Sequence, residues 1–450
     1  MSGAERVEIW YSLRETAASA NERLASTMAT HILWLDGDSE LAPGALDHVS
    51  HALARFQIDL AYGDSIVPSI TPARRIVRPA FSPLRLREQD FLGPAVVMAV
   101  AWMRSVGGFD PRAETVHGYD FALRHSGPAA RVVCIPEVLT VVGTESDAAQ
   151  AEASAVERRL DAEGVRASVD LRKDGSRRIV YGVTGDPLVS VIIPTRGSRA
   201  RVHGADRLLV ADAVRGLVES TDYAKLEIVV VADDPTPQQV IEELRSIAAS
   251  RLRLVRYSEP FNFSAKINLG AIHATGDYLL LLNDDVEIIE PNWLAMLLGL
   301  VQQRDVGISG ALLLFEDGTV QHGGHIYRDQ WAGHIESPSE TGASDSLAAF
   351  GVTREVSGVT AACALMSADI FWAVGGLSPD FPGNYNDADL CLKVRSLGKS
   401  VVFSPDARLF HFESKTRDPT VGAKEIGALR ERWSTRLIVD DYWREESLTD

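Results

Sequence analysis

Residues 260–288 read PFNFSAKINLGAIHATGDYLLLLNDDVEI. Helical spacing over about 264–274 gives way to a wholly apolar run, which stops on Asn283, Asp284 and Asp285. An unbroken apolar run predicts a strand buried on both faces. The three polar side chains then emerge at its carboxyl end, where open α/β sheets bind their ligands. Upstream the same alternation recurs. LVSVIIPT (188–195), LEIVVVAD (226–233) and LRLVRYS (252–258) read as strands, with helical segments around 206–219 and 236–249 between them. Strands alternating with helices of this length predict βαβ units and an α/β domain. The loops to watch are Pro194–Gly197, Ala232–Pro235 and Asn283–Asp285.

Hard oxygen donors at a strand end suit Mg²⁺ or Mn²⁺ shared with substrate phosphates. An apolar run ending in acids is also simply how a strand enters a loop, so the turn alone does not decide the matter.

The first part of the chain echoes the second. HILWLDGDSEL (31–41) parallels YLLLLNDDVEI (278–288), and SVGGFDP (105–111) parallels AVGGLSP (373–379). YDFALR (119–124) parallels ADLCLK (388–393), and RVVCIPEVL (131–139) parallels SVVFSPDARL (400–409). Four matches in one order predict two related domains in tandem. The expected division is 1–143, a joint over 144–187 and 188–450. Within the joint, AQAEASAVERRLDAEG (149–164) reads as a solvated connecting helix, and RIVYGVTGDP (178–187) as an edge strand and turn.

Composition narrows the function classes. The chain has 450 residues and a formal net charge of −17. An acidic surface repels phosphate backbones, which argues against a nucleic-acid partner. Cys134, Cys363 and Cys391 are too dispersed for a metal cluster or a disulfide framework, in keeping with a reducing compartment. MSGAERVEIW lacks the apolar core of a signal peptide, and the longest apolar runs are too short to span a bilayer. The expected location is cytoplasmic, with peripheral contact at the inner membrane face left open.

With these motifs in hand, the sequence resembles family 2 glycosyltransferases of the GT-A fold, a Rossmann-like mixed sheet. The resemblance rests on VSVIIPT (189–195), residues 260–288, EDGTVQHGG (316–324) and VSGVTAACALM (356–366). AVGGLSPDFPGNYNDADLCLKV (373–394), ARLFHFESKTR (407–417) and RERWSTRLIVDDYW (430–443) continue it. It is close over 188–443 and looser over 8–143. It implies an inverting, hexosyltransferase-type enzyme that moves a sugar from a nucleoside-diphosphate sugar to a glycan or lipid-linked acceptor, in polysaccharide assembly.

The resemblance also implies roles. Asp285 matches the last acid of the metal-binding DXD turn and His411 matches the family's metal histidine, so both are expected to hold Mg²⁺ or Mn²⁺. Asn283 replaces the first acid of the turn and, with Asp284, is expected to face the donor. Asp387 matches the catalytic base; the bland alternative is that Asn386 or Asp387 only caps a helix. Asp389 is expected to be structural. Pro194, Thr195 and Arg196 match the loop beneath the base. Asp233 stands one residue beyond the position of the base-reading Asp, where Ala232 falls. Asn268 matches a residue near the nucleoside. Ala361 and Ala362 line the sugar pocket, while His322 and Trp331 lie nearby with no assigned role.

By the same template the first domain begins at about the third helix, without the earlier nucleotide-binding strands. Asp36 and Asp38 form a better DXD turn than that of the second domain, yet Gly118 stands where the base belongs and Val141 where the histidine belongs. That domain is expected to be non-catalytic. Two rivals remain at this level: a non-catalytic nucleotide-sugar-binding scaffold, and a nucleotidyltransferase using Thr195–Arg199 as a triphosphate loop.

Overall fold

The computed structural model describes residues 6–12, 16–68, 73–113, 115–127, 129–143, 148–335, 349–412 and 422–444. Residues 413–417 of the ARLFHFESKTR stretch lie outside them. Two compact units divide between Val180 and Tyr181, with 349–352 and 442–444 falling to the first.

In the first unit the strands are β1 (Val7–Tyr11), β2 (His31–Leu35), β3 (Glu40–Leu41), β4 (Leu60–Val67), β5 (Arg74–Ile76), β6 (Ala95–Ala99) and β7 (Val132–Val141). The helices are α1 (Ala17–Ser26), α2 (Ala45–Arg55), α3 (Pro83–Glu88), α4 (Val100–Ser105), α5 (His117–His125) and α6 (Ala149–Glu163). The sheet runs β1-β2-β6-β4-β7-β3, with β5 on β4. Thus one parallel strand precedes the acid turn, where the sequence predicted none. Helix α6 is not a solvated connector: Ala153, Ala155, Val156 and Leu160 are buried, and it packs against α5. Its apolar face is built largely from alanines, which composition reads as surface. A hairpin, β8 (Ala167–Leu171) and β9 (Arg177–Tyr181), follows.

The second unit opens with β10 (Val189–Thr195), every residue of which is buried. A hairpin, β11 (Arg199–Val202) and β12 (Ala205–Leu208), intervenes before α7 (Leu209–Glu219), shortening the helix expected from 206. Then come β13 (Leu226–Asp233), α8 (Gln238–Ala248), β14 (Leu252–Tyr257), α9 (Phe263–His273), β15 (Tyr278–Leu282), β16 (Val286–Ile288) and α10 (Trp293–Val301). The remaining strands are β17 (Val306–Leu314), β18 (Val320–His322), β19 (His325–Arg328), β20 (Trp331–His334), β21 (Arg354–Val356), β22 (Cys363–Ser367) and β23 (Ser400–His411). The remaining helices are α11 (Ala368–Ala373), α12 (Asn386–Ser396) and α13 (Ala423–Trp433).

The main sheet runs β14-β13-β10-β15-β22-β17-β23-β16. Strands β13, β10, β14 and β15 are mutually parallel where they pair, and β22 and β16 enter antiparallel. This is an α/β fold with the mixed sheet that the GT-A resemblance implies. Its six strands from β10 to β16 repeat the order and pairing senses of the first unit's β1-β2-β6-β4-β7-β3. No described helix is long and apolar enough to cross a membrane.

Candidate active site

The carboxyl ends of β10, β13 and β15 open on one side of a cavity of about 770 Å³. That volume suits a small-molecule ligand held in a cleft. Pro194, Thr195, Arg196, Asp233, Asn283, Asp284, Asp285, Asp387 and His411 all line it. Sequence positions more than two hundred residues apart therefore meet in one place.

Sheet register sets the first pair. In the antiparallel β16–β23 ladder Val286 lies opposite His411, so Asp285 at the strand's entrance reaches the imidazole. Asp285 Oδ1 is 3.2 Å from His411 Nε2. That oxygen is buried and has no hydrogen-bond donor among the described residues. His411 Nδ1 lies 2.7 Å from Gln321 Oε1, an acceptor, so Nδ1 carries the proton and Nε2 presents a lone pair in the neutral ring. The Gln321 orientation is fixed by its Nε2 donating to His411 O at 3.3 Å. A lone pair facing a carboxylate oxygen is repulsive unless a cation or proton lies between them. A divalent cation fits, with Gln321 as the outer partner that orients the histidine. In that ring form Asn283 Nδ2 donates to the same Nε2 at 3.1 Å, so a bound cation would take the place of the amide on this lone pair.

Burial alone would raise the Asp285 carboxyl, but the positive charge that His411 carries when protonated, with hydrogen bonds, outweighs burial and holds it below the usual range. Asp284 goes the other way. Burial, then the charge of Asp285, pushes it up to about 7, against a 2.5 Å hydrogen bond from Thr195 Oγ1.

Asp387 sits at the second position of α12, inside the helix rather than capping it. The N-cap is Tyr385, held at φ +59° with no side-chain cap bond. A non-glycine residue in the left-handed region is uncommon, and here it aims the following turn into the cavity. Asp387 accepts from Ala388 N at 2.8 Å and Ala361 N at 3.3 Å. The loop before it is tied down by Glu425 of α13, which accepts from Gly383 N and Asn384 N at 2.9 and 2.8 Å. Asp389 faces elsewhere: it is fully buried, accepting from Arg432 and Trp433 at 2.9 Å each.

At the other end, Asp233 and not Ala232 lines the cavity; Ala232 is fully buried in β13. Lys266 Nζ stands 2.8 Å from Asp233 Oδ1 and donates to Thr195 O at 3.1 Å. Sequence reasoning missed this lysine, although a lone Lys among FSAKINLGAI was a visible signal. Asn268 makes its contacts elsewhere. It does not line the cavity; its amide clamps Leu377, donating to the carbonyl at 2.8 Å and accepting from N at 2.9 Å. Ala361 and Ala362 line the cavity through their loop, as does Trp331. The segment after β10 is a hairpin, so Thr195–Arg199 does not open a helix as a triphosphate-cradling loop would.

In the first unit Val141 lies opposite Glu40 in the β3–β7 ladder, the register that His411 holds against Val286. Gly118 holds the second position of α5, and a Cβ there would come within 3.0 Å of Trp34 and 3.5 Å of Asp36. Asp36 accepts from Trp34 Nε1 at 2.7 Å, and burial pushes its carboxyl up to about 6.

The chain is similar to several known proteins. Residues 190–375 match the family model described as Glycosyl transferase family 2. The chain is 30% identical, over an alignment of 454 positions, to the uncharacterized protein y4gI of Sinorhizobium fredii (strain NBRC 101917 / NGR234), covering 94% of this chain and 49% of that protein. It is 31% identical over 431 positions to the O-antigen biosynthesis protein RfbC of Myxococcus xanthus, covering 90% and 32%. The chain thus spans about half the length of the first relative and a third of the second. Among solved structures, GalNAc-T7 with UDP, GalNAc and Mn²⁺ gives a TM-score of 0.45 at 16% identity, covering 59% of this chain and 51% of that one. The mannosyltransferase PcManGT from Pyrobaculum calidifontis, in complex with GDP-Man and Mn²⁺, gives 0.38 at 17%, covering 56% and 71%.

Proposed function

We propose, from the premise that residues 190–375 belong to glycosyl transferase family 2, that the chain transfers a sugar from a nucleoside-diphosphate sugar to a hydroxyl of a glycan or lipid-linked acceptor, with inversion. Cell-surface polysaccharide assembly is the proposed setting, in line with the relative named for O-antigen biosynthesis. One observation carries the reading: a single cavity holds the Asp285–His411 pair and the Asp387 carboxylate together.

Asp285 and His411 would hold Mn²⁺ or Mg²⁺, which when bound supplies positive charge to the departing diphosphate. Asp387 takes the proton of the acceptor hydroxyl, its carboxylate held in place by the N–H groups of Ala361 and Ala388. Lys266 and Asp233 shape the base end of the cavity, and Arg196 offers a cation beside the phosphates. The first unit, with Gly118 and Val141 at the matching positions, is read as a truncated, non-catalytic copy.

The test is nucleoside diphosphate release from a panel of UDP-, GDP- and dTDP-sugars, with and without Mn²⁺. The proposal expects release from one donor, abolished by Asp387→Ala. Binding without release supports a scaffold instead, and pyrophosphate from a nucleoside triphosphate supports a nucleotidyltransferase.

A further inference from the structure

Three histidines converge beside Asp387 in the sequence HGGHIYRDQWAGH (322–334). His322 ends β18, His325 begins β19 and His334 ends β20. Gly323 and Gly324 turn the chain between the first two, with Gly324 at φ +109°. The β19–β20 register sets His325 opposite His334. The ring centroids form a nearly equilateral triangle of 5.1, 4.8 and 5.0 Å. One nitrogen from each ring lies within 4.8 Å of the others. His322 is fully buried and His325 is 3% exposed.

The protons show what the triangle lacks. Thr360 N donates to His322 Nε2 at 3.2 Å, so the His322 proton is on Nδ1, which lies 3.0 Å from His334 Nδ1. His325 Nδ1 is buried with no partner among the described residues. Such a nitrogen is costly to leave unpaired. Its other nitrogen, Nε2, points toward Asp387 Oδ2 at 3.8 Å. A carboxylate beside one ring nitrogen is the outer partner that commonly orients a metal-ligating histidine.

We propose that His322, His325 and His334 form a second cation site, selective for Zn²⁺-class ions and distinct from the Asp285–His411 pair. Three neutral imidazoles with no carboxylate among them suit Zn²⁺ over Mg²⁺ or Mn²⁺. Zinc–nitrogen bonds of about 2.0–2.1 Å in a tetrahedral set place the nitrogens roughly 3.3 Å apart. The 3.0 Å His322–His334 separation is already close, while the three nitrogens together lie within 4.8 Å, so the third ring must draw in by up to about 1.5 Å. Ligation through His322 Nδ1 moves its proton to Nε2, so the Thr360 contact opens; no net proton is released. His325 and His334 line the cavity, which leaves a fourth position accessible from it. The proposal does not rest on the transferase reading, because its test reads zinc and not turnover.

The experiment is zinc titration of the metal-stripped chain against a chromophoric chelator, with X-ray absorption on the loaded protein. The Asp285→Asn/His411→Gln double variant is expected to retain one equivalent, with scattering from three imidazoles. Adding His334→Gln or His325→Gln, with folding checked by circular dichroism, is expected to weaken binding more than about 100-fold. Wild-type protein that takes no zinc, or whose zinc lacks three imidazole neighbours, overturns the proposal. So does a folded His334→Gln or His325→Gln variant that keeps its zinc. If the double variant does not fold, the wild-type absorption spectrum decides alone.

Discussion

Asp285 Oδ1 stands 3.2 Å from His411 Nε2, across the point where Val286 and His411 pair in the sheet. The two residues are distant in sequence, and the register of one short ladder joins them. The buried oxygen has no donor of its own among the described residues. Replacing Asp285 by Asn or His411 by Gln should therefore weaken Mn²⁺ binding at least about tenfold, read by calorimetry on the metal-stripped chain. Unchanged affinity in both variants would remove this pair from the metal site.

Asp387 is fixed by two backbone N–H groups and by a strained helix start. Asp387→Asn keeps the shape and removes the base. Turnover should fall by about 10²–10⁴, while the donor Kd measured by nucleotide-sugar titration stays the same. A parallel rise in Kd would point to a binding role instead.

Lys266 is 3% exposed at its side chain and joins Asp233 to the Thr195 carbonyl. Lys266→Met should leave Asp233 without its cation and destabilise the chain by about 1–3 kcal/mol. Nucleoside diphosphate should also bind more weakly. A Tm and a nucleotide Kd both equal to the wild type would show that the pair is idle.

Asn268 bonds both faces of its amide to Leu377. Asn268→Ala should cost about 1–3 kcal/mol in denaturant unfolding, because two backbone groups lose their partner. The donor Kd of the folded variant should be unaltered. A selective loss of donor binding would restore the role that the resemblance implied.

Asp36 is raised by burial from 3.8 to about 6. The folded chain thus holds this proton more tightly than the unfolded one. The associated stability is fully present below about pH 3.8 and is lost as pH rises through about 6. Asp36→Asn, whose amide oxygen can still accept from Trp34, should raise Tm relative to wild type at pH 8 and not at pH 4. Donor turnover should be unaffected; equal loss of turnover in Asp36→Asn and Asp387→Asn would give the first unit an active part.

Much of the fold was legible. The strands from β10 to β15 and their helices follow from apolar runs and helical spacing, because local periodicity reflects which faces are buried. Helix α6 was misread because small alanines gave no strong apolar stripe. The hairpin β11–β12 was missed because its alternating charges look like a helix start.

The sequence by itself determined the strands, the acid turn at Asn283–Asp285 and the residues that resemble a family's machinery. Only the tertiary structure decided which of those residues meet. It turned Asn268 away to Leu377, brought Lys266 to Asp233 and closed the triangle of His322, His325 and His334. The reason is physical: periodicity along the chain specifies which side of an element is buried. Which side chains converge is set by sheet order, register and the direction of each Cα–Cβ bond, and these arise only when the elements pack.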